Sequence, residues 1–255
     1  MRYQLKTAMI LCGTLLINLS TGCTVSHTSS NAENVGLPAI SQYGTMREVL
    51  RDGHTEARIS MTDAVAEPHA YAVGALEGLT GEIMIVDGNV WVARNDGDNL
   101  QVTGPTPDAN DKATLLALTH VTNWKSETIK PSTEGQELES LIEHMAREQG
   151  LDTSQPVPFL LEGKTGSINL HVINGYCPIR IDPATMDVKP WRLSVTNKTD
   201  VVIFGYYAPN SAGVLTHHGT SIHAHALIRK KGRTLTGHVD QVTVEPGMIL
   251  KIPGA

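Results

Sequence analysis

Gly81-Glu82-Ile83-Met84-Ile85-Val86-Asp87-Gly88-Asn89-Val90-Trp91-Val92 sets two short apolar runs on either side of an Asp-Gly pair. An Asp-Gly pair supplies the positive φ angles that a tight two-strand connection needs, and apolar runs of about 4–8 residues bounded by turn residues are strand material. The stretch predicts a β-hairpin. Outward from it the same signature recurs at Leu115-Leu116-Ala117-Leu118 and Val201-Val202-Ile203-Phe204, and residues 221–229 and 236–245 form a further candidate hairpin joined across Lys230-Lys231-Gly232-Arg233. Helical spacing shows in two places. Met46, Val49 and Leu50 share one face behind Thr45 as N-cap, with Gly53 as the stop; from about Glu134 to Gln149, Leu138, Leu141, Ile142 and Met145 form a second apolar stripe ending before Gly150. The expected fold class is α+β, mainly β, with two abutting β-rich sheets or barrels and a few short helices.

The N-terminal end carries a different message. Arg2 and Lys6 precede the apolar stretch from Ala8 to Leu19, which gives way to Ser20-Thr21-Gly22-Cys23. A positive start, an apolar run of ~7–15 residues and small residues at the cut are the parts of a secretory signal, and the run is too short for a spanning helix of ~20 residues. Residues 1–22 are thus expected to be removed as a signal peptide. Leu19-Ser20-Thr21-Gly22-Cys23 resembles a bacterial lipobox, which implies lipid on the Cys23 sulfur; an ordinary signal peptide that contains a cysteine is the alternative. Residues 24–37 are polar, cannot bury enough apolar surface to offset chain entropy, and extend Cys23 into a disordered tether. The expected location is therefore outside the cytoplasm, on a membrane, in the periplasm or at the outer cell face. The body, residues 38–255, makes one large or two small β-rich units, about 38–155 and 156–255 in the second case.

Of the three cysteines, Cys12 leaves with the signal and Cys23 takes lipid, so Cys177 has no partner for an internal disulfide. Loss of residues 1–22 leaves 18 basic against 26 acidic residues, a net charge of −8. Nucleic acid, which needs clustered Lys and Arg, is excluded as a partner on that ground. Self-association into a homodimer stays open.

The chemistry-bearing stretch is Ser221-Ile222-His223-Ala224-His225-Ala226-Leu227. In a strand the side chains at i and i+2 point to one face, so His223 and His225 project together. His238, in Gly237-His238-Val239-Asp240, comes back across the hairpin. Three converging imidazoles with room for water form the ligand pattern of a catalytic zinc site. A His-x-His on a strand is equally the pattern of a polar surface pair, His217 or His218 can substitute as ligand, and Asp240 is either a hydrogen-bond acceptor for a ligand histidine or a solvated acid.

Together these blocks are similar to the α-acetolactate decarboxylase family, over roughly residues 42–250. Tyr43-x-Thr45-Met46-x-x-x-Leu50-x-x-Gly53 resembles the family's opening helix. Gly74-Ala75-Leu76-Glu77-Gly78-Leu79-Thr80-Gly81-Glu82-Ile83-Met84-Ile85-Val86-Asp87-Gly88 resembles its Gly-Thr-Phe-x-x-Leu-Asp-Gly-Glu-Met-Ile-x-x-Asp-Gly stretch, and the His-x-His with the later Gly-His resembles its zinc motif. The resemblance implies a Zn2+ on His223, His225 and His238, conversion of 2-acetolactate to acetoin with loss of carbon dioxide, and a catalytic place for Glu82. By spacing, the family's active-site arginine falls on Asn174, with Arg180 as the nearest substitute, and its C-terminal glutamate has no counterpart before Ala255.

The expected function is a zinc-dependent decarboxylase, or a related lyase, acting on a small 2-hydroxy-3-oxo acid. A non-catalytic, metal-carrying, ligand-binding lipoprotein is the alternative. A cupin-type oxygenase ranks last, because Leu227-Ile228-Arg229-Lys230 offers no glutamate ligand after the histidine pair.

Overall fold

A computed structural model describes residues 36–96, 99–179, 181–230 and 232–254. The expected signal peptide, Cys23 and residues 24–35 of the expected tether lie outside these, as does Arg180. No helix among the described residues is long and apolar enough to cross a membrane.

Two antiparallel sheets make up the body. The first contains β1 (Ile40–Tyr43), β2 (Ile59–Ser60), β3 (Ala70–Leu76), β4 (Glu82–Val86), β5 (Asn89–Asn95), β6 (Leu100–Thr103) and β7 (Lys112–His120), in the order β1-β7-β3-β4-β5-β6 with β2 also on β7. The second contains β8 (Trp124–Thr128), β9 (Thr133–Glu134), β10 (Val157–Thr165), β11 (Ser167–Val172), β12 (Trp191–Val195), β13 (Thr199–Tyr207), β14 (Ile222–Lys230), β15 (Arg233–Val244) and β16 (Ile249–Pro253). Their order is β12-β11-β15-β14-β13-β10-β16-β8, with β9 on β15. Mainly β, with two sheets and short helices, is the architecture the sequence predicts. The change of sheet falls between His120 and Trp124, well before the expected division near residue 155. Strand β8 pairs with β16 at the far end of the chain, a long-range partnership that local pattern does not reveal.

The hairpin that decided the reading forms as expected: Val86 pairs with Asn89 across Asp87 (φ 48°) and Gly88 (φ 75°), two left-handed residues that match the strand twist. Helix α1 (Met46–Leu50) starts at Thr45 with a capping box, in which the Thr45 hydroxyl accepts from the Glu48 backbone and the Glu48 carboxylate accepts from the Thr45 backbone. Helix α2 spans Met61–Ala64, and α3 (Gly135–Glu148) buries Leu138, Ile142, Met145 and Ala146, largely the predicted stripe.

Strand β4 explains how the two sheets share one site. Ile83 and Ile85 point to a core with Val90, Val92 and Met61, whereas Met84, on the opposite face, joins Tyr71 and Val73 in a cluster with Phe204 and Tyr206 of the second sheet. The Tyr206 hydroxyl donates to the Ala117 carbonyl at 3.1 Å, tying the sheets together. Since alternate residues share a face, Glu82 is carried to the same inter-sheet side as Met84. Both faces of β4 are covered, so its sequence is a continuous apolar run instead of an alternating one.

Candidate metal centre

Strands β13, β14, β15 and β11 lay one row of directly paired residues across the second sheet: Phe204 opposite His225, His225 opposite His238, and His238 opposite His171. His223, two residues before His225, joins the row from the same face. The predicted trio therefore converges. One ligand atom from each of His223, His225 and His238 lies within 4.8 Å of the others, and all three side chains are buried, His225 completely.

Three of the ring nitrogens have no hydrogen-bond partner among the described residues. Nδ1 of His223 and both ring nitrogens of His225 are buried without a hydrogen bond. A buried polar atom left unpaired costs roughly 1–3 kcal/mol, a cost that a cation held by the ring nitrogens offsets. Burial, reinforced by the neighbouring histidines, pushes the His223 imidazole down to about 3 and those of His225 and His238 well below their usual value. The rings are thus neutral, the form in which imidazole ligates a metal. The donor set, three nitrogens on one rigid hairpin, can hold one ion.

Glu82 faces this trio from the other sheet. Its carboxylate is 4 % exposed, with Oε2 at 3.6 Å from His225 Nε2 and Oε1 at 4.0 Å from His171 Nε2; the Ile173 backbone N–H donates to Oε1 at 3.4 Å. Burial raises its pKa to about 7, against the opposing pull of His171 and the Ile173 amide. A carboxyl that titrates near neutrality is suited to exchanging a proton with substrate.

Two histidines enter the site that spacing alone did not select. His171, 2 % exposed, stacks 4.8 Å from His238 and binds the Asp240 carboxylate through Nδ1 at 2.7 Å. His217, one of the two alternative ligands, has its ring 5.4 Å from His238, and burial lowers its pKa to about 4. The Asp240 contact depends on an irregularity: Leu170 pairs with Val239 but Asn169 with Gln241, leaving Asp240 as the extra residue of a β-bulge. A bulge re-aims a side chain, and here Asp240 meets His171 while also accepting from Arg192 at 3.4 Å. An isolated histidine within the apolar run Leu170-His171-Val172 was the available signal for His171. The bulge left none.

His223, His238 and Glu82 open on a cavity of about 30 Å3, walled by Met46, Leu50, Leu79, Leu115, His171 and Cys177 among others. An outer chamber of about 220 Å3, lined by Arg47, Arg51, Thr216 and His218, shares Met46, Leu50 and His217 with it.

The family profile described as Alpha-acetolactate decarboxylase matches residues 40–251. The chain belongs to this family. Solved structures agree in fold: alpha-acetolactate decarboxylase from Bacillus subtilis superimposes with a TM-score of 0.65 at 18 % identity, covering 84 % of this chain and 85 % of that one. Acetolactate decarboxylase from Bacillus subtilis subspecies spizizenii gives 0.64 at 18 % identity, covering 85 % and 86 %. A Staphylococcus aureus protein of unknown function, similar to alpha-acetolactate decarboxylase, gives 0.62 at 14 % identity, covering 85 % of both chains. No curated protein sequence matches significantly.

Within this acetolactate decarboxylase family chain, Asn174 is not where the expected catalytic role would put it. It does not line the cavity; its Nδ2 donates to the Asn95 carbonyl at 3.0 Å and to Asn95 Oδ1 at 3.3 Å. Asn95 in turn donates to the Val172 and Ile173 carbonyls at 2.8 and 3.2 Å. The pair clamps β5 to the end of β11, so the short amide is used in joining the sheets.

Proposed function

We propose that the protein is a zinc-dependent carboxy-lyase that converts 2-acetolactate into acetoin and carbon dioxide, or acts likewise on a closely related 2-hydroxy-3-oxo acid. The carrying observation is the convergence of three buried imidazoles, with unpaired nitrogens on His223 and His225, and of a buried carboxyl whose pKa is raised to about 7, at 3.6 Å from His225. Zinc held by His223, His225 and His238 supplies Lewis-acid polarisation of the substrate's hydroxyl and carbonyl oxygens. Glu82, protonated in part at neutral pH, delivers a proton to the carbon freed when the bond to the departing carboxylate breaks. His171, held by Asp240, keeps its Nε2 toward Glu82. Met46, Leu50, Leu79 and Leu115 exclude water, which strengthens each polar interaction in the cavity.

Elemental analysis and an acetoin assay test the reading on the same samples. About one zinc per chain is expected, lost together with acetoin formation in His223→Ala/His225→Ala. A zinc-loaded protein that yields no acetoin above spontaneous decay would refute the decarboxylase.

A second reading, a metal-carrying binding protein without catalysis, is favoured by the engagement of Asn174 with Asn95 away from the cavity. An added acid that raises thermal stability without being consumed would select it. For the N-terminal end we propose export and a lipid anchor on Cys23; partition of the full chain into detergent, abolished by Cys23→Ser, is the expected behaviour.

A further inference from the structure

Helix α1 presents Arg47 and Arg51 one turn apart, at i and i+4, so both side chains lie on one helical face. Both are exposed, both line the outer chamber, and neither makes an ion pair or side-chain hydrogen bond among the described residues. The acid on the same helix does not neutralise them. Glu48 is committed to the capping box, its Oε2 accepting from the Thr45 backbone N–H at 2.8 Å. The chamber's remaining wall, Ile179, Gly213, Thr216, His217 and His218, contains no carboxylate. Two guanidiniums without a partner among the described residues therefore face a concave space whose described lining holds no anionic group.

The position of that space gives it a role. Met46 and Leu50, on the adjoining face of α1, wall the histidine cavity, and His217 borders both chambers. The inner cavity, at about 30 Å3, is much more confined than the outer chamber, at about 220 Å3. An occupant that reaches from the histidines into the outer chamber meets guanidinium there, which binds carboxylate with paired, charge-assisted bonds.

We propose that Arg47 and Arg51 are the carboxylate-recognition residues of this protein: the acid binds with its oxygen-bearing carbons toward the histidines and its carboxylate outward, on the two guanidiniums. This rests on the proposed 2-hydroxy-3-oxo acid substrate and adds the direction in which it enters. The leaving carboxylate then faces the open end of the pocket, and an amide or ester of the same acid loses the interaction.

Isothermal titration of the zinc-loaded protein with 2-hydroxyisobutyrate, an acid that keeps the hydroxyl but lacks the oxo group, and with its amide tests the assignment. The wild type is expected to prefer the acid. Arg47→Gln/Arg51→Gln should bind the acid at least about tenfold more weakly, the loss of a charge-assisted bond, with affinity for the amide, zinc content and thermal stability unchanged. In the acetoin assay the double variant should raise KM more than it lowers kcat. Equal affinity of wild type and double variant for the acid would overturn the assignment and leave the lyase reading intact. Failure of the wild type to bind the acid more tightly than the amide, zinc being present, would likewise overturn the assignment, whereas the lyase reading stands or falls on the acetoin assay alone.

Discussion

At the scale of single residues, Glu82 carries the most chemistry, because its position on β4 buries a carboxyl that on an isolated hairpin would be solvated. Its exchange for glutamine keeps shape and hydrogen bonding but holds no transferable proton. Glu82→Gln is expected to lower kcat by roughly 100-fold or more, the usual range for losing a positioned acid, with zinc content unchanged. The same group links folding to pH. Its pKa rises from 4.5 unfolded to about 7 folded, so the folded state binds the extra proton. The stabilising effect is present below pH 4.5 and lost as pH rises through 7, by about 3 kcal/mol at the most. In metal-free protein, wild-type stability should therefore fall relative to Glu82→Gln between pH 5 and 8, measured by urea unfolding. No change in relative stability across that range would mean that Glu82 is ionised throughout. The place of Glu82 beside the histidines was accessible from sequence only through the family resemblance, since no local pattern distinguishes a buried strand-start glutamate from an exposed one.

At the scale of elements, the β14–β15 hairpin was legible and the bulge within β15 was not. The i, i+2 rule placed His223 and His225 on one face, and a tight connection brought His238 opposite His225. Neither rule says that β11 lies on the far side of β15, and so neither pointed to His171. The bulge at Asp240 is a property of that second pairing. Asp240→Ala leaves the buried Nδ1 of His171 without its acceptor, and a loss of about 1–3 kcal/mol is expected in chemical denaturation. No change would mean that water replaces the carboxylate at no cost. The position matched to the family's arginine, Asn174, lies off the cavity for a related reason. Counting along the chain from β10 gives a residue number, but whether the side chain enters the cavity is decided by the turn after β11 and by Asn95 on the other sheet.

For the whole molecule, the site exists because two sheets meet. Glu82 comes from the first, the imidazoles from the second, and the mouth is closed by α1, whose Met46 and Arg47 backbone amides donate to the Val214 and Gly213 carbonyls at 3.0 and 2.8 Å. Met84, fully buried between the sheets beside Tyr206 and Phe204, keeps that distance. Met84→Ala should cost about 2–5 kcal/mol, the lost transfer energy plus a cavity, and should lower kcat in the acetoin assay as well, because Glu82 is held two residues away on the same face. Stability lost without any change in kcat would show that the packing at Met84 does not position Glu82.

The amino-acid sequence by itself determined what local geometry controls: the mainly β class, the Asp87-Gly88 turn, the capped start of α1, the apolar stripe of α3, and the convergence of His223 with His225. Each depends on residues a few positions apart, where backbone periodicity and turn chemistry are sufficient. Tertiary structure alone decided the change of sheet before Trp124, the joining of His171 to the trio, the choice of His217 over His218 beside it, the bulge that aims Asp240, and the chamber that gathers Arg47 and Arg51. Those features arise from pairings between segments far apart in the chain. Burial and mutual orientation, which set the charge state of every group at the site, have no local sequence signature.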